Sequence, residues 1–263
     1  FAAGIGQVTP EHIDRGRALI AGLPDGLVDV LHRPRGARVA LFALLLSRQS
    51  EILTRQLDGV EVRFGAEVRA ECAELAATLR SLPAGRRLPL LDLALPALSE
   101  FPDAARGELV AVVDELVAAD GRTSTFEYVA RRLLRAVIDP APASAPHLRV
   151  PASRLRSDMT RLLSLLAHAG HPDEDGARAA FIAAAAIAPF DALEFESGRK
   201  GFSSTDLDAT LERLASTTPH FRARLIDACA SAVSHDGKLR AAEIELLRAC
   251  GQALDAPMPL LEE

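Results

Sequence analysis

Residues 117–127 read VAADGRTSTFE, and residues 233–243 read VSHDGKLRAAE. Both stretches follow the pattern V-x-x-D-G-x-x-x-x-x-E. A glycine directly after a helix can take the left-handed conformation that ends the helix, and Ser124 with Glu127 is typical of a capping box that begins the next one. The pattern therefore predicts two helical hairpins with Asp-Gly at each turn. Arg240 stands where the first stretch has Ser124, so the second cap is predicted to be incomplete.

The sequence around these hairpins also indicates helices. Ala and Leu dominate, aromatic residues make up 4% of the chain, and apolar residues recur three and four positions apart. Because alternating strand patterns are nearly absent, we predict an all-α protein. The first helix has Thr9 as its expected N-cap and Pro10 as its first residue. Further helices are predicted at Gly36–Ser47, Val62–Leu82, Leu88–Ser99, Ala104–Ala119, Thr125–Ile138, Arg154–Ala169, Asp175–Ala188, Ser204–Ser216, His220–Ser234 and Arg240–Leu254.

A proline-rich segment, DPAPASAPHLRVPA at 139–152, divides the chain. Proline removes backbone donors and biases its preceding neighbour away from helix, so this segment is interpreted as a linker. It predicts an N-terminal helical half at 1–138 and a C-terminal helical half at 153–263. A weaker break is expected at 195–205.

The two halves look related. At one constant offset Leu109 pairs with Leu225, Asp120-Gly121 with Asp236-Gly237, and Glu127 with Glu243. A second echo joins GARVALFALLL at Gly36 to GARAAFIAAAAI at Gly176, with a larger offset that leaves extra residues near Val62–Leu82. We therefore predict a duplicated helical unit. The alternative is a chance alignment of helices rich in Ala and Leu.

The repeated motif also raises the question of a metal site. An EF-hand loop has oxygen ligands at positions 1, 3 and 5, glycine at 6 and glutamate at 12. The Asp-Gly and Glu fit positions 5, 6 and 12, but position 1 holds Leu116 or Ala232. An ordinary EF-hand is thus excluded, and helix capping is the preferred interpretation. A weaker divalent-ion site remains an alternative, with Asp120, Glu127, Asp236 and Glu243 as ligands.

Histidine and acidic residues cluster in HAGHPDED at 168–175. His168 and His171 are three apart, a spacing that can bring two rings to one helical face. Gly170 and Pro172 predict instead that the helix ends there, with Asp173 or Asp175 capping the next helix. This interpretation is favoured over a metal site. The chain has seven histidines, and none lies in an H-E-x-x-H motif.

The cysteines do not indicate a catalytic site. Three of them are too few for a disulfide framework, which favours a reducing compartment. Cys229 and Cys250 align with apolar positions of the first hairpin and are predicted core residues. Cys72 has no adjacent histidine that would activate it. No phosphate-binding loop and no strand followed by G-x-G-x-x-G is present, so we predict no catalytic residues and no cofactor site in this chain.

Charge and hydropathy exclude two classes of partner. The net charge is -6 and the pI about 5.7, whereas nucleic-acid-binding proteins usually carry a basic face. The longest apolar stretches, at 39–46 and 179–190, are shorter than the roughly 20 residues that span a bilayer. We therefore expect neither nucleic-acid binding nor direct insertion into a membrane. The chain begins with Phe1, and we expect it to be part of a longer protein.

Several segments together resemble one protein family. RLPLLDLALPAL at 87–98, VAADGRTSTFEYVARRLL at 117–134 and the ending at 228–261 are similar to the cytosolic C-terminal region of bacterial HtpX-like membrane zinc metallopeptidases, the CAAX-prenyl-protease type. The two D-G-x5-E hairpins also resemble the TerB-like helical fold. The family's H-E-x-x-H helix, third zinc ligand and membrane spans have no match in this sequence.

This resemblance implies a function that the residues alone do not supply. The chain would be a non-catalytic, cytosolic accessory or regulatory region that contacts a protein partner or an upstream catalytic domain. The zinc would belong to the parent enzyme, and the upstream part would tether the chain to the inner membrane. A free-standing TerB-like module that binds a divalent metal or serves a stress response is the alternative. A stand-alone enzyme is the third and least favoured hypothesis.

Overall fold

The computed structural model describes residues 10–139, 150–198, 203–256 and 258. Across these residues the chain forms α-helices, one 3₁₀ turn at Ala84–Arg86 and no strand, so the prediction of an all-α protein is confirmed. The helices are α1 (Pro10–Ala21), α2 (Leu27–Leu31), α3 (Pro34–Leu45), α4 (Ser50–Arg80), α5 (Arg87–Ser99), α6 (Asp103–Ala118), α7 (Thr125–Ile138), α8 (Ala152–Gly170), α9 (Glu174–Ala185), α10 (Ser204–Ala215), α11 (Pro219–Val233) and α12 (Ala241–Ala253).

Most predicted helices appear close to their predicted bounds, and two regions differ. α4 begins at Ser50 rather than Val62 and is interrupted at Gly65, whose φ of 86° and ψ of 168° are not helical. α2 was not predicted, because five residues are too few to show a helical period. Thr9, the expected N-cap of α1, lies outside the described residues.

The described chain divides into two compact units. The N-terminal unit contains residues 16–139, and the C-terminal unit contains residues 10–15 together with those from 150 onward. The division therefore falls inside α1, whereas the sequence placed the whole N-terminal half before the linker. Of that linker, residues 140–149 lie outside the described part of the chain.

The N-terminal unit is built around α3. Eight residues of this helix are buried, among them Leu41 and Phe42, because its sequence from Val39 to Leu45 is apolar on every face. α3 packs against α4, α5 and α6, and α5 also packs against α7. Leu91 from α5 and Leu134 from α7 are fully buried and complete this core.

The C-terminal unit is built around α8, which packs against α9, α10, α11 and α12. Most of its buried residues are aliphatic, and one ion pair is buried with them. Asp158 of α8 is 1% exposed and accepts two hydrogen bonds from Arg213 of α10, at 2.6 and 2.8 Å. This bidentate pair fixes the distance and rotation between the two helices.

The contacts between helices do not support one of the two internal sequence similarities, the one between Gly36 and Gly176. Helices α5, α6 and α7 follow one another as α10, α11 and α12 do, and in each set the first and second helices contact the third. α3 contacts α5, and likewise α8 contacts α10, so α3 is the counterpart of α8. The echo between Gly36 and Gly176 pairs α3 with α9 instead, and it does not join equivalent helices. Common descent of the two halves remains a prediction.

Candidate functional site

The first hairpin joins α6 to α7. Gly121 has a φ of 71° in the left-handed region, and Asp120 Oδ1 accepts a hydrogen bond of 2.8 Å from the amide of Arg122. Ser124 Oγ accepts a bond of 3.3 Å from the amide of Glu127, and Glu127 Oε2 accepts one of 2.7 Å from the amide of Ser124. The predicted capping box is therefore present, and both carboxylates of the motif hold the backbone of their own turn.

The second hairpin, between α11 and α12, repeats this backbone with one change. Gly237 has a φ of 72°, and Asp236 Oδ1 accepts a bond of 3.0 Å from the amide of Lys238. Glu243 Oε2 accepts one of 3.0 Å from the amide of Arg240. The guanidinium of Arg240 has no acceptor atom and donates to Asp236 Oδ2 at 2.9 Å instead. Only half of the capping box forms, as the sequence indicates.

The two glutamates lie in different surroundings. Glu127 is half-buried, whereas Glu243 is 0% exposed and packs directly onto Gly170 at the end of α8. A Cβ atom at position 170 would lie 1.7 Å from Glu243 Oε1, so only glycine leaves room for this carboxylate. Among the described residues, Oε1 has no hydrogen-bond partner. A buried carboxylate oxygen without a partner is costly and unusual.

His171 lies beside this carboxylate. Its side chain is 7% exposed, and Nδ1 lies 3.1 Å from the carbonyl oxygen of Ala167, which places the proton of the neutral ring on Nδ1. Nε2 has no hydrogen-bond partner in the described chain and lies 3.8 Å from Asp236 Oδ2. We call the buried His171 and Glu243, together with the exposed Asp236, the buried polar cluster.

Burial and charge act in opposite directions within this cluster. Burial raises the pKa of Glu243 above its ordinary value, and the amide and guanidinium of Arg240 offset the increase only in part. The pKa of Asp236 is lowered below its ordinary value. Burial acts to raise it, but the hydrogen bonds from Lys238 and Arg240 outweigh that effect. Two carboxyl groups of one hairpin therefore titrate in different pH ranges.

The structure places the four predicted metal ligands in pairs. Asp120 and Glu127 lie in the first hairpin, and Asp236 and Glu243 lie in the second, each with one oxygen bonded to a backbone amide. In residues 10–139, 150–198, 203–256 and 258, no group of three His, Cys, Asp or Glu side chains has the arrangement of a metal site. Glu127 and Glu243 accept hydrogen bonds from the N-cap amides of α7 and α12, and Asp120 and Asp236 accept theirs within the turns.

The cluster HAGHPDED has a structural role in the described chain. α8 ends at Gly170, and Asp173 caps α9 by accepting a bond of 2.7 Å from the amide of Gly176, as the sequence predicts. His168 Nε2 lies 3.0 Å from the carbonyl oxygen of Glu196, and its ring lies 5.0 Å from that of Phe195. These contacts fasten the segment after α9 to α8.

The cysteines are core residues. Cys72, Cys229 and Cys250 are buried with free thiols, which confirms the prediction for the last two. Burial raises the pKa of Cys72 to about 12. The hydrogen bond with Cys250 and burial raise the pKa of Cys229. Thiols of this kind are poor nucleophiles at neutral pH, since the thiolate is the reactive form.

Two features were not predicted from the sequence. The first is the position of Glu243 beside Gly170 and His171. The only sign of it in the sequence is Arg240 at the N-cap of α12. An arginine there cannot complete a capping box with Glu243, so the sequence leaves the role of this glutamate unexplained. The second is a pocket of about 220 Å³ in the N-terminal unit, beside the first hairpin. Its walls come from α3, α4, α5 and the hairpin. These segments are distant in sequence, so no local sequence pattern predicts that they form a pocket.

Comparisons with known proteins do not identify the chain. No protein-family model, curated protein or solved structure matches it. None of the described helices combines the length and the apolar character that a bilayer span requires. The suggested family and its function therefore rest on the residues quoted for the resemblance.

Proposed function

We propose that this chain is a non-catalytic accessory or regulatory region of a membrane-bound zinc metallopeptidase. The resemblance of 87–98, 117–134 and 228–261 to the cytosolic C-terminal region of HtpX-like enzymes supports the proposal. In this role the helical units bind a protein partner or the upstream catalytic domain. Zinc and the catalytic residues belong to the upstream part, which also tethers the chain to the inner membrane.

The observation that supports this proposal is the hydrogen bonding of the four carboxylates in the repeated motif. Each of the four accepts a hydrogen bond from a backbone amide of its own hairpin, at 2.7–3.0 Å. A carboxylate that accepts a hydrogen bond from the backbone of its own hairpin has a structural role, whereas a general base or a zinc ligand must face a substrate or an ion. The repeated motif therefore has a structural role in the hairpins, and we expect the helical units to contact a partner through their exposed surfaces.

The proposal is tested on the complete gene product. We expect the reading frame upstream of Phe1 to encode hydrophobic spans and an H-E-x-x-H helix, and we expect the full-length protein in vesicles to cleave a denatured fluorescent protein substrate. The purified 263-residue chain, supplied with zinc, should leave that substrate intact. An upstream frame without spans and H-E-x-x-H, or cleavage by the chain alone, contradicts the proposal.

A second candidate function is a divalent-metal-binding module. One observation favours it: Glu243 Oε1 and His171 Nε2 are both buried, both lack a hydrogen-bond partner in the described chain, and both belong to one cluster. Imidazole and carboxylate are ligands that zinc and manganese accept. With Asp236, these residues would hold the ion after a local rearrangement, since the present arrangement is not that of a metal site.

This candidate predicts a metal-dependent rise in melting temperature. Zinc, calcium and manganese are each added to the wild type, to Glu243→Gln and to the matched first-hairpin variant Glu127→Gln. Metal binding at the cluster requires a shift that Glu243→Gln removes and Glu127→Gln retains. Equal melting temperatures with and without each metal would exclude the module.

A further inference from the structure

Two of the three cysteines meet in the core of the C-terminal unit. Cys229 of α11 is 0% exposed and Cys250 of α12 is 1% exposed, and their thiols are joined by a hydrogen bond. The two helices are packed together and are connected by the second Asp-Gly turn. A disulfide requires side chains that point toward each other from neighbouring segments. The hydrogen bond between the thiols meets this requirement.

Cys72 is equally buried but has no such partner. It is the single cysteine of the N-terminal unit, it is 0% exposed, and its sulfur lies 3.9 Å from the carbonyl oxygen of Val39. A thiol without a second thiol in its own folded unit has no sulfur there with which to form a disulfide. Cys72 therefore separates the effect of burial from the effect of a neighbouring thiol.

The corresponding positions of the first hairpin hold aliphatic side chains. At the constant offset, Cys229 pairs with Val113 of α6 and Cys250 pairs with Leu134 of α7, both of which are 0% exposed. A buried cysteine behaves in packing as a small apolar residue. Because the first hairpin fills these two positions without sulfur, packing alone does not account for a cysteine at both of them in the second.

The position of Cys250 gives an oxidant a route to the pair. Both thiols are buried, so a dissolved oxidant reaches them only when the packing opens locally. Cys250 lies in the last turn of α12, which ends at Ala253. The ends of helices open more readily than their middle turns. Opening of this turn exposes Cys250 first, and its closure returns the oxidised sulfur to Cys229.

From these contacts we propose that Cys229 and Cys250 form a reversible disulfide when the protein meets hydrogen peroxide. The thiolate of Cys250 attacks one peroxide oxygen, the O–O bond breaks, and Cys250 becomes a sulfenic acid while the other oxygen leaves as water. The thiol of Cys229 then attacks the sulfur of the sulfenic acid, which forms the S–S bond and releases a second water. The two thiols together lose two electrons and two protons, and the peroxide takes up both.

The cross-link acts on the second hairpin. It closes a loop over residues 229–250, which contains the Asp-Gly turn and Glu243. A disulfide of this kind restricts the unfolded chain and so stabilises the folded hairpin. In reducing compartments such disulfides are transient and redox-sensing, and a dithiol reductant reverses them by exchange. The inference is independent of the accessory role in a peptidase, because it concerns residues of the C-terminal unit alone.

The test exposes the purified chain to hydrogen peroxide under native conditions. Free thiols are then alkylated in denaturant, and every cysteine is assigned by mass spectrometry of the peptides. The wild type is compared with Cys250→Ala, which removes one member of the pair, and with Cys72→Ala, which removes an equally buried thiol from the other unit. Both variants delete the same atom from a core, so their losses of packing are matched. The comparison of the three cysteines within the wild type needs no variant.

We expect the oxidised wild type and Cys72→Ala to contain Cys229 and Cys250 in one linked peptide, and Cys72 of the wild type to remain a free thiol. In Cys250→Ala, Cys229 should stay as unreactive as Cys72. Hydrogen exchange in α11 and α12 of the oxidised wild type should slow by about tenfold or more and return to its original rate with dithiothreitol. The proposal is overturned if no linked peptide forms, if Cys72 is oxidised as fast as the pair, or if the linkage joins two chains.

Discussion

Replacing Gly170 by alanine tests the contact on which the buried polar cluster depends. The added Cβ would lie 1.7 Å from Oε1 and 2.3 Å from Cδ of Glu243, far inside contact distance. Because Glu243 is fully buried, its carboxylate has no vacant space to enter and must leave its position. It then loses the hydrogen bond from the amide of Arg240, and the end of α8 separates from the start of α12.

The size of the effect follows from three contributions. Loss of the capping bond costs about 1 kcal/mol, and overpacking of a filled core costs about 1–3 kcal/mol. Alanine in a helix gains up to about 1 kcal/mol over glycine, which opposes both. We therefore expect Gly170→Ala to lower the free energy of unfolding of the C-terminal unit by about 1–3 kcal/mol.

The assay is urea unfolding of each variant, with hydrogen exchange measured by mass spectrometry so that each change is assigned to its unit. The matched control is Gly107→Ala in α6, where a Cβ meets no atom within 4 Å. That change should stabilise its helix slightly. In a Glu243→Ala background, Gly170→Ala should become neutral or stabilising. If Gly170→Ala is equally destabilising with and without Glu243, the reasoning is refuted.

Three further predictions concern the polar contacts of the two units. Burial places the folded pKa of Glu243 above its ordinary value of 4.5, so the ionised group costs stability as the pH rises through the folded pKa. Glu243→Gln should therefore leave the free energy of unfolding unchanged below pH 4.5 and raise it by about 1 kcal/mol at neutral pH. Unfolding curves measured across that pH range check this. An equal difference between variant and wild type at every pH would contradict the burial of an ionised carboxylate as the cause. Ser124→Ala should cost the N-terminal unit about 1 kcal/mol through loss of the bond to the amide of Glu127, with less hydrogen-exchange protection at the start of α7; unchanged protection there would count against the capping box. Arg213→Ala removes the bidentate partner of Asp158 and leaves this buried carboxylate with only the ion pair to Arg154 at 3.4 Å, so it should cost up to about 3 kcal/mol in urea unfolding. The double change with Asp158→Ala should recover much of this loss. No recovery would show that the lost packing of the arginine, and not the weakened pairing of the charge, sets the cost.

Local patterns were sufficient to predict most of the fold. The Asp-Gly turns and the capping box at Ser124 depend on residues within one hairpin, and their geometry follows directly from sequence. α7 begins and ends where its period and cap predict. The helical interruption at Gly65 was not predicted, because a single glycine inside a long helical pattern is tolerated more often than it breaks the helix.

The candidate sites depend on contacts between distant segments. Gly170 and Glu243 meet only because α8 packs against α12, and Gln56 meets Leu116 only because α4 approaches α6. No spacing rule within one element records such a pair. The sequence therefore identified Glu243 as a residue of interest, and the packing of α8 was needed to show why it is buried.

The central claim is that the repeated D-G-x5-E carboxylates hold the hairpins and do not bind metal. Calorimetric titration of the purified chain with calcium, zinc and manganese tests it most directly, beside a variant carrying Glu127→Gln and Glu243→Gln, which keeps an acceptor at each helix start. The account predicts no saturable heat from any of the metals in either protein. Saturable heat in the wild type that is absent from the variant would contradict it and would assign the motif to a metal site.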